Sequence, residues 1–266
     1  MKWRQDLAYI LCCLFLAISS RIVLDKIFTP PRRPYHISTP VKNPVEDILR
    51  PVTATRYRDG IAAAILIDTS GSMQEQVRDA SGGLRPKIAI ARRAALNLVD
   101  QVDYYAREHS DKSIVLGIYE FSERDKGPSC RVVVELGPPD AAVARSAILA
   151  MRAEGDTPIG DAMIRAKRDL DATGLSKRHI LVITDGENTK GYSPDDVTRA
   201  IAKQNDKDRA SIYFVAFDVE AAKFDSVRDS GGVVLAASNE TDLKSTLDYL
   251  LAGRILVEQP DQRHFR

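Results

Sequence analysis

Short apolar runs alternate along the chain with longer segments in which apolar residues recur every three or four positions. The run at residues 61–67 contains no polar side chain, which is typical of a strand buried on both faces of a parallel sheet. Residues 179–184 form a second predicted buried strand. The segment that follows Pro86 has helical apolar spacing at Ile88, Ala91, Ala95, Leu98, Val102 and Tyr105. This alternation predicts a doubly wound α/β fold with right-handed crossovers.

Shorter patterns complete the predicted order of elements. Further strands are expected at residues 113–121, 131–136, 211–217 and 232–236. Further helices are expected at residues 139–152, 158–174 and 240–251. One more helix is predicted where Ser193 stands at an N-cap and Pro194 in the first turn. Residues 74–85 are predicted to form a connecting loop.

Three oxygen-bearing side chains follow the first strand directly. Asp68, Ser70 and Ser72 occupy the loop at its carboxyl end, where open parallel sheets bind their ligands. Their spacing of two lets alternate side chains of a tight turn converge, and Gly71 gives the backbone freedom to turn. Carboxylate and hydroxyl oxygens are ligands of a hard cation such as Mg²⁺. The loop is therefore a candidate metal site.

The sequence Asp68-Thr69-Ser70-Gly71-Ser72 resembles the D-x-S-x-S signature of von Willebrand factor type A (vWA) domains, whose fold carries a metal-ion-dependent adhesion site. The family also has a threonine in a loop before a helix and an aspartate at the end of the next central strand. Thr157 and Asp185 stand at the matching places, in the order that the family requires. The resemblance covers roughly residues 58–253 and points to the bacterial, membrane-anchored type of vWA protein.

The resemblance implies a mostly parallel, six-stranded, Rossmann-like sheet flanked by helices, in which Asp68 and Asp185 end neighbouring strands. It also implies that Ser70, Ser72 and Thr157 give hydroxyl oxygens to Mg²⁺, or to Mn²⁺ or Ca²⁺. Asp68 and Asp185 would bind the ion directly or through water. Hydroxyls and at most two carboxylates leave such an ion incompletely neutralised. An open position can therefore accept an Asp or Glu side chain from a protein partner.

Three further acidic side chains accompany the motif. Asp156 stands where glycine is frequent in the family, and it adds a negative charge beside the site. Asp161 and Glu187 follow the threonine and aspartate elements. The three side chains either orient water or hydroxyls around the metal or are plain surface charges, and both interpretations stay open.

The amino-terminal region is predicted to meet a membrane. After a tail at residues 1–6, the apolar residues 7–18 span about 18 Å as a helix, and extension to residue 24 gives about 27 Å. A hydrocarbon core is about 30 Å thick. A single-pass anchor at residues 7–24 is therefore expected, with the domain exported. The alternative is a cleaved signal peptide and a secreted domain, since Ala17-Ile18-Ser19 is a passable cleavage site.

The remaining regions carry weaker signals. Residues 25–57 are dense in proline and are predicted to form an extended spacer, and residues 254–266 form a tail. Cys130 is alone in the globular part, so no disulfide is expected within the domain. The 38 basic and 37 acidic side chains give a net charge of +1, which offers no electrostatic reason to expect nucleic-acid binding.

Three functions are compatible with these patterns. The first is a membrane-tethered module that captures an acidic side chain of another protein through Mg²⁺. The second is a scaffold subunit of an assembly, working with an AAA+ ATPase as some bacterial relatives do, in which the metal fixes loop structure. The third is a Mg²⁺-dependent hydrolase, in which the metal activates water. Because the chain lacks the P-loop, nucleophile-elbow and H-E-x-x-H motifs, a protein without enzymatic activity is expected.

Overall fold

A computed structural model describes residues 44–50, 57–124 and 127–257. In chain order its helices and strands are α1 (Pro44–Ile48), β1 (Arg58–Asp68), β2 (Gln76–Arg78), β3 (Leu84–Pro86), α2 (Lys87–Glu108), β4 (Ile114–Phe121), β5 (Cys130–Gly137), α3 (Ala141–Ala150), α4 (Ile159–Ala172), β6 (Leu175–Thr184), α5 (Pro194–Ala202), β7 (Ser211–Phe217), α6 (Asp225–Asp229), β8 (Val233–Ala237) and α7 (Glu240–Leu250). The same ranges contain 3-10 turns at Gly71–Gln74 and Ala221–Phe224 and a π turn at Leu251–Ile255.

One sheet of six strands forms the centre of the domain, in the order β5-β4-β1-β6-β7-β8. All neighbours are parallel except β4 and β5, which pair antiparallel. In β1, Ile65 lies opposite Ile118 of β4 and Leu181 of β6. The prediction of a mostly parallel, six-stranded sheet flanked by helices is confirmed. The strand β1, which ends at Asp68, and the strand β6, which ends one residue before Asp185, are neighbours.

Successive side chains of β1 point to opposite faces of the sheet and enter two apolar layers. Ile65 and Ile67 pack in the layer that includes side chains of α2, α3 and α7. Ala64 and Leu66 pack in the layer that includes side chains of α4 and α5. Because both faces are covered, every residue from 61 to 67 is buried, and the first polar side chain after this run is that of Asp68, the last residue of the strand.

A β-hairpin occupies most of the segment predicted to be a loop at residues 74–85, so that prediction is wrong. Its strands, β2 and β3, pair antiparallel over three residues each. Asp79 holds the turn by accepting backbone hydrogen bonds of 2.9 Å from both Ser81 and Gly83. Val77 is the single buried residue of the two strands. The segment therefore has no apolar period from which a strand can be predicted.

A short helix, α1, lies within the stretch predicted to be an extended linker. Val45 within this helix and Leu49 directly after it are buried in the layer that includes α4 and α5. Gln204 Nε2 donates a hydrogen bond of 2.7 Å to the Leu49 carbonyl oxygen. The prediction of an extended spacer is therefore wrong for residues 44–50, because two apolar side chains one helical turn apart dock on the domain.

The predicted tail and anchor at residues 1–24 and the remainder of the linker lie outside the described residues. Within the part of the chain that the structure describes, no helix is long and apolar enough to cross a membrane. At the other end, Leu251 and Ile255 of the π turn are buried beside α7. Packing of the domain thus continues beyond the predicted boundary at residue 253. Residues 258–266 of the predicted tail lie outside the described residues.

Candidate metal centre

Three loops meet at the carboxyl edge of the sheet. We name them the serine loop (residues 69–75, after β1), the threonine loop (residues 151–158, before α4) and the aspartate loop (residues 185–193, after β6). Asp68 is the last residue of β1. Because β1 and β6 are parallel neighbours, their following loops start side by side. The sequence-predicted donors therefore come from adjacent places in the fold.

Backbone hydrogen bonds fasten the serine loop to the threonine loop. The Gly71 amide donates to the Gly155 carbonyl at 2.9 Å, and the Glu154 amide donates to the Thr69 carbonyl at 2.7 Å. Gly155 has a φ of +88°, and a Cβ atom there would lie 2.1 Å from the carbonyl oxygen of Glu123. Only glycine fits this conformation and this close approach. The two loops are thus held in one arrangement.

The aspartate loop is fastened to the threonine loop and to the start of α4. Asn188 Oδ1 accepts hydrogen bonds from the backbone of Ile159 at 2.8 Å and of Gly160 at 3.4 Å, so it caps the helix from another loop. The Thr157 amide donates a hydrogen bond of 2.9 Å to Thr189 Oγ1. The Thr189 amide donates one of 3.0 Å to the Thr157 carbonyl oxygen. These contacts fix Thr157, which is buried, in its loop.

Asp68 is a fully buried carboxylate whose hydrogen-bond partners are neutral. Its Oδ2 accepts a bond of 2.6 Å from the Thr184 hydroxyl, and its Oδ1 accepts a bond of 2.7 Å from the Ser70 amide. Burial raises the pKa of Asp68 to about 7, and the hydrogen bonds from Thr184 and Ser70 offset only part of that increase. A cation beside the carboxylate would favour its ionised form.

Three side-chain oxygen atoms follow one another at hydrogen-bond distance and form a row, from Ser70 through Ser72 to Asp185. The hydroxyl oxygens of Ser70 and Ser72 are 3.1 Å apart, and Ser72 Oγ donates a hydrogen bond of 2.7 Å to Asp185 Oδ1. Neighbouring ligands of an octahedral Mg²⁺ with bonds of 2.0–2.1 Å are about 2.9 Å apart. The spacing of the row therefore suits adjacent ligands of one such ion, and the oxygen donors suit a hard cation.

Lys87 is a charged residue of the centre that the sequence patterns did not indicate. Its side chain is 4% exposed, and its ammonium contacts Glu75 at 2.8 Å, Asp185 Oδ2 at 3.1 Å and Asp218 at 3.1 Å. Burial lowers the pKa of Lys87, but the hydrogen bonds to Glu75 and Asp185 raise it by more, so the pKa lies above its ordinary value. Lys87 is thus a fixed positive charge beside one of the two candidate carboxylates.

The one local feature that bears on the role of Lys87 is its place at the start of a helix. No local feature bears on the role of Asn188. A lysine at the first position of α2 faces the positive end of the helix dipole, so it requires nearby negative charge. That requirement does not identify the carboxylates, which come from three other elements. Asn188 caps a helix that begins 29 positions earlier in the chain, so neither role follows from neighbouring residues.

Two of the three accompanying acidic residues, Asp156 and Glu187, are exposed. Lys190 Nζ lies 3.7 Å from Asp156, and Lys223 Nζ lies 3.1 Å from Glu187. Asp156 and Glu187 therefore form ion pairs with lysines at the rim of the carboxyl edge.

Asp161, the third, lies half-buried in the first turn of α4. Its Oδ1 accepts a hydrogen bond of 3.0 Å from the Tyr192 amide, and its Oδ2 accepts one of 3.2 Å from the Ser129 hydroxyl. The carboxylate thus connects the aspartate loop to the segment before β5. In this arrangement it supports the loop that carries Asp185.

The fold and the centre define a class of protein: a doubly wound α/β domain with oxygen donors from three loops at the carboxyl edge of its central strands. The family model for the von Willebrand factor type A domain matches residues 64–246. The chain belongs to the von Willebrand factor type A domain family. A comparison with curated proteins found no match.

Several solved structures are similar to this domain. The PilB minor pilin from Streptococcus sanguinis has a TM-score of 0.55 at 14% identity, over 74% of this chain and 62% of the pilin. A von Willebrand factor type A protein from Catenulispora acidiphila has a TM-score of 0.55 at 21% identity, over 73% of this chain and 42% of that chain. BatB from Bacteroides thetaiotaomicron has a TM-score of 0.54 at 17% identity, over 73% of this chain and 98% of BatB. The chain spans less than two thirds of the first two proteins. The TM-scores show that the three proteins share the fold of this domain.

Proposed function

We propose that this chain is a membrane-tethered vWA module that holds a divalent cation, Mg²⁺ or alternatively Mn²⁺ or Ca²⁺, and binds an acidic side chain of a protein partner through it. The proposed donors are Asp68, Ser70, Ser72, Thr157 and Asp185. The observation that carries the proposal is the row of oxygens from Ser70 to Asp185 beside Asp68, a buried carboxylate with neutral hydrogen-bond partners. Four of the proposed donors lie on three loops that hydrogen bonds fasten to one another, and Asp68 ends the strand from which the first loop starts.

The donor set leaves room for both the cation and an acidic partner. Asp68 and Asp185 supply two carboxylates, and Lys87 contacts the second of them at 3.1 Å. Ser70 and Ser72 add oxygens without adding charge. A bound divalent cation supplies a Lewis-acidic position that a carboxylate can occupy. Hydroxyl donors leave the charge of the ion incompletely neutralised, and this attracts an acidic side chain.

The helix α1 packs on the side of the domain away from the candidate centre. Gln204, which contacts α1 through Leu49, follows the last turn of α5. That turn lies near the amino edge of the sheet, because α5 crosses from the end of β6 to the start of β7. The chain therefore enters the domain at the edge opposite the candidate centre.

A capture experiment tests this function. The 266-residue chain serves as bait for solubilised membranes of its own source cells, in Mg²⁺ and in chelator. Asp68→Ala is the test variant, and Asp206→Ala is the matched control, because the Asp206 side chain is 86% exposed and pairs with Arg209 at 3.1 Å. We expect a partner that wild type and Asp206→Ala retain in Mg²⁺ and that chelator or Asp68→Ala releases. Equal capture under all conditions would contradict metal-bridged binding and would favour a scaffold role with a structural metal.

A further inference from the structure

We propose that Lys87 is the positioning residue that makes this centre select Mg²⁺ over Ca²⁺. The inference rests on the proposed metal site and deepens it, because it names the residue that decides which ion the site takes. Lys87 acts through the Asp185 carboxylate, which it contacts at 3.1 Å, and it is not itself a metal ligand. An ammonium donates hydrogen bonds and accepts none.

The Lys87 ammonium is held in an otherwise unfavourable place. Burial removes its water, and the start of α2 places it at the positive end of the helix dipole. Its three donor positions are matched by three carboxylates, from Glu75, Asp185 and Asp218. The Lys87 amide also donates to the Glu75 carbonyl at 2.8 Å. Both the backbone and the side chain of Lys87 are therefore fixed.

Asp218 adds a second constraint from the loop that follows β7. It has a φ of 54°, and within the described residues it is the one non-glycine residue with a positive φ. Its amide donates a hydrogen bond of 2.7 Å to the Ala237 carbonyl oxygen. A non-glycine residue persists in this conformation when its surroundings determine it strongly. The ammonium is thus held from separate loops and cannot follow Asp185 if that carboxylate rotates.

The two carboxylates of the centre are each bound at both oxygens. Asp185 Oδ1 accepts from Ser72 at 2.7 Å, while Oδ2 accepts from Lys87 at 3.1 Å. Asp68 Oδ1 accepts from the Ser70 amide and Oδ2 accepts from Thr184. With Oδ2 of Asp185 engaged by Lys87, only Oδ1 faces the row of hydroxyls. Lys87 therefore prevents Asp185 from turning both oxygens toward one ion.

One oxygen from each carboxylate suits Mg²⁺ better than Ca²⁺. Mg²⁺ takes six ligands in near-octahedral geometry, whereas Ca²⁺ takes six to eight and often binds both oxygens of a carboxylate. Without Lys87, Asp185 can rotate and offer both oxygens, so the larger ion gains a donor while the octahedral arrangement loses its support. The ratio of the Mg²⁺ and Ca²⁺ affinities therefore reports the role of Lys87 directly.

Isothermal titration of the 266-residue chain with Mg²⁺ and with Ca²⁺ tests the inference in wild type and in Lys87→Met. Loss of a group that orients a metal ligand lowers metal affinity by about 10–100-fold. Removing the Lys87 charge favours both divalent ions equally. The loss of orientation weakens Mg²⁺ binding more than Ca²⁺ binding, so we expect the ratio of the Mg²⁺ affinity to the Ca²⁺ affinity to fall by about 10–100-fold. Lys223→Met is the matched control, because it removes a lysine that pairs with Glu187 at the same edge. Its affinity ratio should equal that of wild type.

The outcomes separate this inference from the proposed function. If wild type binds neither ion, the proposed metal site fails and the role of Lys87 fails with it. If wild type binds Mg²⁺ and Lys87→Met keeps the wild-type affinity ratio, the metal site stands and the inference is overturned. A purely structural Lys87 would lower the melting temperature and leave that ratio unchanged. Should Lys87→Met not fold, Asp218→Asn takes its place, because it removes one of the three carboxylates that hold the ammonium. A lower affinity ratio in Asp218→Asn supports the inference, and an unchanged ratio overturns it.

Discussion

Asp68 is expected to make the stability of the metal-free domain fall as the pH rises. Its pKa is about 7 in the folded protein, against an ordinary value of 3.8, because burial disfavours the charged carboxylate. Between these two pH values the folded protein holds a proton that the unfolded chain has released. The free energy of unfolding therefore decreases with increasing pH, which is opposite to the effect of a carboxylate in a salt bridge.

The size of this effect follows from the two pKa values. At 1.36 kcal/mol per pH unit, the full difference corresponds to about 4 kcal/mol of unfolding free energy, and about 2 kcal/mol of it falls between pH 5 and pH 7. His179 acts in the opposite direction, because burial lowers its pKa to about 4 and the unfolded chain takes up the proton first. Its contribution is common to wild type and Asp68→Asn, so the difference between the two proteins isolates Asp68.

Urea unfolding in chelator at pH 5, 6 and 7, followed by far-ultraviolet circular dichroism, measures the prediction. The free energy of unfolding of wild type relative to Asp68→Asn should decrease by about 2 kcal/mol from pH 5 to pH 7. Mg²⁺ added at pH 7 should stabilise wild type and leave Asp68→Asn unchanged, since a ligand of the folded state raises its stability. Parallel pH profiles for the two proteins would refute this account of Asp68.

Mg²⁺ should raise the melting temperature of wild type but not of Asp68→Ala in thermal unfolding, and an equal rise in both would count against the site. Gly155→Ala should lower the free energy of unfolding, measured in urea, by about 1–3 kcal/mol or more, because the added Cβ atom would meet the Glu123 carbonyl oxygen. Gly82→Ala is the control, because Gly82 also has a positive φ, of +84°, but an added Cβ atom there meets no other atom. Equal losses of unfolding free energy in the two variants would show that the clash with Glu123 contributes nothing. Leu49→Ala should lower the free energy of unfolding by about 2–5 kcal/mol in the same assay, because it removes a buried side chain. A change near zero would contradict the docking of α1 on the domain.

The sequence predicts those elements whose burial is continuous. β1 and β6 are covered on both faces, so their apolar runs are unbroken and indicate buried strands. The hairpin of β2 and β3 buries Val77 alone, and an isolated apolar residue carries no period. Val45 in α1 and Leu49 directly after it are two buried residues, which are too few to show a period. They also stand among prolines, which favour an extended chain. Docking of α1 depends on α4 and α5, far along the sequence.

The same contrast holds at the centre. Asp68, Ser70 and Ser72 lie in one loop after a predicted strand, so their convergence follows from local sequence. Thr157 and Asp185 required a resemblance to a known family, because only the topology brings their loops beside the first. Lys87 was not predicted, since its role depends on carboxylates that three separate segments deliver to its ammonium.

The central claim is that the hydroxyls of Ser70 and Ser72 bind a divalent cation beside Asp68. The most direct measurement is an anomalous difference map from crystals of the chain soaked in Mn²⁺. The account predicts a peak within about 2–2.5 Å of both hydroxyl oxygens, which is the bond range of hard cations, and its loss in Asp68→Ala. A saturating soak that leaves no anomalous density between Ser70 and Ser72 would contradict it.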